Sequence, residues 1–272
     1  MRVIVAHIAF GHGLNHHGSQ WPSIWRLSMF GQKGKGSEML VHRRWDSLGS
    51  ADLGWLRAKH HFAVSADDNP EHGALDPLIV WNDDEIAVGG GFPMHGHRDV
   101  EIITYVRQGV VGHCDTLGSE GTINAGDVQV MSAGTGIRHS EFNKSDVPLK
   151  LYQIWLLPRV AGGAPRWDTK PFPRNDRSGR FVVLASGFPE DEGALPIRAD
   201  ARLLCATLKA GESIRQDLSS SSCAYLTVAS GRIEINGESM GSLDGAAITQ
   251  VQAVDITALE DSELVMVDTG KV

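Results

Sequence analysis

Two stretches of this chain, far apart in sequence, are written in the same form. IITYVRQGVVGHCDT (102–116) and AYLTVASGRIEINGE (224–238) each read as a short apolar strand, a glycine and a second short strand. NAGDVQVM (124–131) is echoed by SLDGAAIT (242–249), each rising out of a turn that contains Gly and Asp. LIVWNDDEIAVGGGF (78–92) adds two apolar runs around an Asn-Asp-Asp turn. LKLYQIWLLP (149–158) alternates and stops at Pro158, and DSELVMVDTG (261–270) supplies a last strand. The 31 glycines and 11 prolines are spread as such turn density requires. No segment sustains a helical apolar period for long. Short strands with turn signals every ~8–12 residues, in two copies, predict an all-β protein of two stacked antiparallel β-barrels or sandwiches, with few short helices. At 272 residues there is chain enough for two domains of ~100–150 residues each.

Residues 1–38 stand apart: Arg2, Arg26, Lys33 and Lys35 face the single acid Glu38, and GQKGKGSE (31–38) reads as a flexible linker. This stretch is expected to be a poorly ordered extension, with a tag or an early start before Met39 as the alternatives. The first barrel is then expected over 39–160, an interdomain crossing rich in Pro, Gly and Arg over 161–180, and the second barrel over 181–272. A net charge of −8 without clustered Lys and Arg argues against direct nucleic-acid binding. No apolar run reaches the ~18–20 residues that span a bilayer. Cys114, Cys205 and Cys223 lie too far apart for a disulfide framework or a CxxC pair, which points to a reducing cytoplasm. Cys114 is read as a small core residue. Each barrel can be covered by its duplicate, so a monomer is expected.

Chemistry concentrates in two short pairs. His95-Gly96-His97 follows an apolar strand, and residues i and i+2 of a strand project from one face. His139-Ser140-Glu141 repeats that spacing with a carboxylate as the fourth group. A lone His-x-His is common by chance. Two such pairs on neighbouring strands, facing a barrel interior, are costly unless they ligate something. Three nitrogens and one oxygen with coordination positions left open are what a catalytic rather than a closed structural metal site needs. The chain has 12 histidines and none after His139, so the second copy is expected to be metal-free.

These residues also carry a resemblance. Gly89-(x5)-His95-x-His97-(x3)-Glu101-(x7)-Gly109 is similar to the first cupin motif with one extra residue before its last Gly. Gly126-Asp127 followed by Gly136-Ile-Arg-His139-(x3)-Asn143 resembles the second, again slightly lengthened. More narrowly, HGHRDVEIITYV with AGDVQVMSAGTGIRHSEFN resembles the pirin family, above all its bacterial members with quercetin dioxygenase activity. The likeness runs from about Met39 to the end of the chain. It implies a bicupin of jelly-roll type with one iron-type site in the N-terminal domain, whose ligands are His95, His97, His139 and Glu141. The chain departs from the family at residues 1–38, which have no counterpart. It departs again at GSADLGWL (49–56), which lacks a His before Gly-Trp-Leu, and at HHFAV (60–64), where an aromatic pair is reduced.

The activity implied is metal-dependent dioxygenation of a flavonol-like aromatic substrate with O2. Fe(II) is the expected ion; Mn, Ni, Co, Cu or Zn also accept such donors. Glu141 can take the proton of the substrate hydroxyl. Phe92, Met94, Met131, Ile137 and Phe142 are candidates for the substrate pocket. Glu101, a ligand in many other cupins, and His113 are read as supporting groups around the site, His113 as a buried, hydrogen-bonded imidazole. The alternatives are a non-enzymatic metal- or redox-responsive regulator acting through protein partners, and a cupin holding only a structural ion.

Overall fold

A computed structural model describes residues 39–218 and 223–270. The extension expected over 1–38 lies outside the described residues. Four sheets make up the fold, with strands numbered in chain order. In the N-terminal half a seven-stranded sheet runs β12 (Arg166–Lys170), β9 (Val128–Ser132), β6 (Glu101–Gln108), β11 (Leu149–Leu156), β4 (Leu78–Ile86), β3 (Leu56–His60), β2 (Gly49–Asp52). A four-stranded sheet faces it: β5 (Gly91–His97), β10 (Ile137–Asn143), β7 (Val110–Asp115), β8 (Glu120–Asn124). The C-terminal half repeats the seven-plus-four plan. Its large sheet runs β1 (Met39–Arg43), β20 (Gly245–Thr249), β17 (Cys223–Ser230), β22 (Ser262–Asp268), β15 (Arg202–Leu208), β13 (Val182–Ser186), β14 (Leu195–Pro196). Its small sheet runs β16 (Ser213–Asp217), β21 (Ala253–Ala258), β18 (Ile233–Ile235), β19 (Glu238–Met240).

The repeated strand–glycine–strand unit turns out to be the corner between sheets. β6 lies in a large sheet and β7 in the small sheet facing it, and Gly109 between them sits at φ +81°. β17 and β18 make the same passage at Gly231, φ +86°. Positive φ at a tight corner is open to glycine at little steric cost, which is why the repeat carries one there. Of the two forms expected, barrel or sandwich, the structure has the second. No strand pairing joins a large sheet to a small one among the described residues, so each half is an open, jelly-roll-like sandwich. β13 and β14 pair parallel, the others antiparallel, and the helical content of the described residues is two 3-10 turns, Trp45–Ser47 and Arg174–Arg177. No described helix is long and apolar enough to cross a membrane.

The alternation read in the sequence decides which side of each large sheet is buried against what. Trp81, Ile103, Tyr105, Tyr152 and Ile154 leave the first large sheet on one face and share a core with Leu203, Cys205, Tyr225 and Val265 of the second. The two large sheets thus lie back to back. The opposite face of the first sheet carries Leu56, Ile86, Val106 and Leu151, which pack on Phe92, Val111 and Ile123 of the small sheet. Cys114, expected in a core, is exposed. The two halves also exchange edges. β1, at the start of the N-terminal segment, pairs with β20, Met39 opposite Thr249, and His42 bonds Glu238 and Asp244 at 3.0 and 2.9 Å. In return, β12 of the crossing pairs with β9 in the first sheet.

Candidate metal centre

β5 and β10 are antiparallel neighbours in the small sheet, and their register places His139 opposite His95 and Ile137 opposite His97. Between His139 and Glu141 the register slips, and Glu141 faces Phe92. Pro93 and Met94 of β5 thus stand opposite the single Ser140 of β10, a β-bulge. A bulge of this kind re-aims side chains, and it lets Phe92 and His95 turn to the same interior. Proline, which cannot donate to a ladder, is at home there. The Pro93 carbonyl accepts a hydrogen bond from His95 Nδ1 at 2.8 Å, which puts the ring proton on Nδ1 and the lone pair on Nε2.

The result is a convergence of imidazoles. Ring centroids of His95 and His97 are 4.7 Å apart, His95 and His139 4.5 Å, His97 and His139 5.0 Å. One nitrogen on each of the three lies within 4.8 Å of the others. Donor atoms of His113, His139 and Glu141 form a second group within the same limit, so His139 belongs to both. The four expected ligands therefore adjoin one another without forming one mutual cluster. His97, His139, Glu141 and His113 are buried; His95 is half-buried and is the side open to solvent. Trp155 meets the His97 ring edge-on at 5.1 Å. Burial lowers the pKa of His95, against the pull of the Pro93 carbonyl.

Glu141 is held by the large sheet opposite. Gln153 Nε2 donates to Oε2 at 2.7 Å, and Gln129 Nε2 donates to Oε1. Thr104, Gln129 and Gln153 sit side by side in register across β6, β9 and β11 and point inward. Burial raises the Glu141 carboxyl to about 7, outweighing the two amides and the Thr104 hydroxyl, which pull it down. Three imidazoles and a carboxylate at this spacing fit a divalent transition ion, for which such donors are well suited.

Known proteins share the sequence and the fold of this chain. A family model described as "Pirin" matches residues 41–156, and one described as "Quercetinase C-terminal cupin domain" matches 183–269. A "Pirin-like protein" of Caulobacter vibrioides is 54% identical over 232 residues, 85% of this chain and all of that one. The chain belongs to the pirin family. "Quercetin 2,3-dioxygenase" of Escherichia coli K12 is a further relative, 38% identical over 85% of this chain and 98% of its own. Among solved structures, the bacterial pirin YhhW from Escherichia coli, in complex with nickel(II), superposes with a TM-score of 0.80 at 36% identity, covering 86% of this chain and all of that one.

Within this pirin chain the other residues singled out from sequence go to different places. Glu101 leaves β6 on the face opposite Thr104, toward the C-terminal half. There it accepts Ser132 Oγ at 2.6 Å and the Arg198 N–H at 3.0 Å, away from the imidazoles. Met131 and Ile137 are buried with Val80, Ile102 and Trp155 in a core beside the site. Phe92 is buried and meets His95 at 6.2 Å between ring centroids, with Trp55 edge-on at 5.1 Å. Met94 is 42% exposed beside His95. Phe142 alternates away from Glu141 and covers Gly91. Sequence reasoning missed Thr104, Gln129, Gln153, Asp115 and Trp167. Gln129 and Gln153 had a signal: each is an amide set between apolar or aromatic neighbours in its strand, at an inward position. Trp167 had none, because nothing in a crossing segment says that it returns to the first sheet.

Proposed function

We propose that the chain is a metal-dependent dioxygenase that opens flavonols such as quercetin with O2, using Fe(II) held by His95, His97, His139 and Glu141. The observation that carries this reading is the convergence of three imidazoles on β5 and β10 with Glu141 next on the same face. The relatives named quercetin 2,3-dioxygenase support the substrate class, and the nickel(II) complex of YhhW supports a divalent ion at such a site. A bound Fe(II) supplies Lewis acidity and one-electron chemistry toward a phenolic oxygen and O2. The protein does the rest. A flat phenol approaches past half-buried His95 and exposed Met94, the open side of the group. Glu141, fixed by Gln129 and Gln153, receives the proton of the substrate hydroxyl on its carboxylate. The apolar wall of Phe92, Ile137 and Trp155 excludes water from the reacting ring.

The test is aerobic turnover of quercetin by protein loaded in turn with Fe, Mn, Ni, Co and Cu, with carbon monoxide measured as product. Turnover with at least one ion, abolished in His95→Ala and Glu141→Ala, is expected. Absence with all five leaves the non-enzymatic regulator as the better reading, and turnover that survives both substitutions removes the proposed ligands.

A further inference from the structure

His113 is more tightly prepared than a core imidazole requires. Asp115, two residues on, faces the same interior and places Oδ2 3.1 Å from His113 Nε2. Its other oxygen, Oδ1, accepts the backbone N–H groups of Leu117 at 2.8 Å and Ser119 at 3.0 Å. Trp167 stacks on the His113 ring, centroids 4.7 Å apart and planes at 10°. Trp167 is itself held by a 2.8 Å bond to Gln129 Oε1 and by Gly121, where a Cβ would come within 2.6 Å of Cη2. With Nε2–H given to Asp115, the lone pair belongs to Nδ1, which is buried and has no hydrogen-bond partner. A His113 donor atom lies within 4.8 Å of those on His139 and Glu141, yet His113 does not join the His95, His97, His139 group. Glu141 stands in the same relation, so both side chains adjoin the three-imidazole group through His139 alone. His113 would be near enough to meet an atom that an ion there binds.

We infer that His113, oriented by Asp115, is the hydrogen-bond acceptor for a hydroxyl group carried by the ligand bound at the centre, and that it selects phenols with a hydroxyl beside the coordinating oxygen. This rests on the metal centre of the dioxygenase reading and goes beyond its flavonols, whose 3-oxygen has a carbonyl beside it, to catechol-type ligands. Asp115 sets the tautomer, and that is where the inference can be broken. In Asp115→Asn the side-chain oxygen stays with the Leu117 and Ser119 N–H groups, so the amide turns its NH2 to His113 Nε2. The ring proton moves to Nδ1, and the acceptor becomes a donor.

Binding of catechol and of guaiacol, its monomethyl ether, is titrated optically on Ni(II)-loaded protein without O2. Three proteins are compared: wild type, Asp115→Asn, and His113→Phe, which keeps an aromatic ring against Trp167. Wild type prefers catechol, and the preference falls about tenfold in both variants, the worth of one hydrogen bond, while nickel stays at one per chain. A preference unchanged in both variants overturns the inference. So does loss of nickel from a folded His113→Phe, which would make His113 a ligand. A wild type that takes up no nickel overturns the metal centre itself, a failure visible before any phenol is added.

Discussion

Gln153 donates its side-chain amide to Glu141 Oε2 at 2.7 Å, from the middle of the large sheet across to the small one. That bond, with the one from Gln129, is what keeps a buried carboxylate aimed beside three imidazoles. Replacing Gln153 by Leu leaves one carboxylate oxygen without its donor. The metal-free protein should lose about 1–3 kcal/mol in thermal or urea unfolding. Groups that orient a ligand typically carry about 10–100-fold in metal affinity, and a competition titration with a chelator should show a loss in that range.

Glu101 and Glu141 are both buried acids, but only one faces the imidazoles. Glu101→Gln weakens the bonds to Ser132 and the Arg198 N–H, and should cost about 1–2 kcal/mol of stability with metal content unchanged. Glu141→Gln should lose the ion. Metal analysis of the two purified variants decides between the carboxylates, and an ion lost from Glu101→Gln would reverse the assignment.

Much of this was legible in the sequence because it follows from periods of two. The repeated corner at Gly109 and Gly231, the shared face of His139 and Glu141, and the absence of imidazoles from the second half needed only spacing. Long-range register was not legible. That Glu101 turns toward Arg198 depends on the parity of β6 relative to a domain packed behind it. The exchange of β1 and β12 between halves leaves no local mark, since an edge strand reads the same whichever sheet it joins. The bulge at Pro93-Met94 was concealed for the opposite reason: His-x-His suggested regular alternation, and the extra residue falls just before it.

Asp84 gives the metal-free protein a pH signature. It is fully buried with both oxygens unpartnered, and burial, then Asp83 and Glu141, push its carboxyl well above the ordinary 3.8. The folded chain thus binds this proton more tightly than the unfolded one. Stability from the group is complete below the unfolded value and is lost as pH rises through the folded pKa. Asp83, raised to about 6 by burial despite Arg107, acts in the same direction between 3.8 and about 6. Unfolding followed from roughly pH 4 to pH 8 should show wild type losing stability relative to Asp84→Asn, whose slope should be flatter. Parallel slopes would mean that Asp84 finds a partner in solution.

Two glycines of β5 separate packing from ligation. A Cβ at Gly91 would lie 2.3 Å from the Glu141 carbonyl oxygen and 2.6 Å from Phe142 Cα. Both are backbone atoms of β10, so Gly91→Ala must push that strand aside at a cost of about 1–3 kcal/mol. Because β10 carries His139 and Glu141, and a ligand set tolerates only about 0.5 Å of misplacement, metal affinity should fall at least tenfold. Gly96 lies between His95 and His97, closer in sequence to the chemistry, but a Cβ there meets only Arg138 Cγ at 3.5 Å and the Ile137 carbonyl oxygen at 3.7 Å. Gly96→Ala should therefore keep wild-type affinity to within about threefold, under ~1 kcal/mol. The reverse order in a metal titration would show that β5 and β10 do not meet in this register.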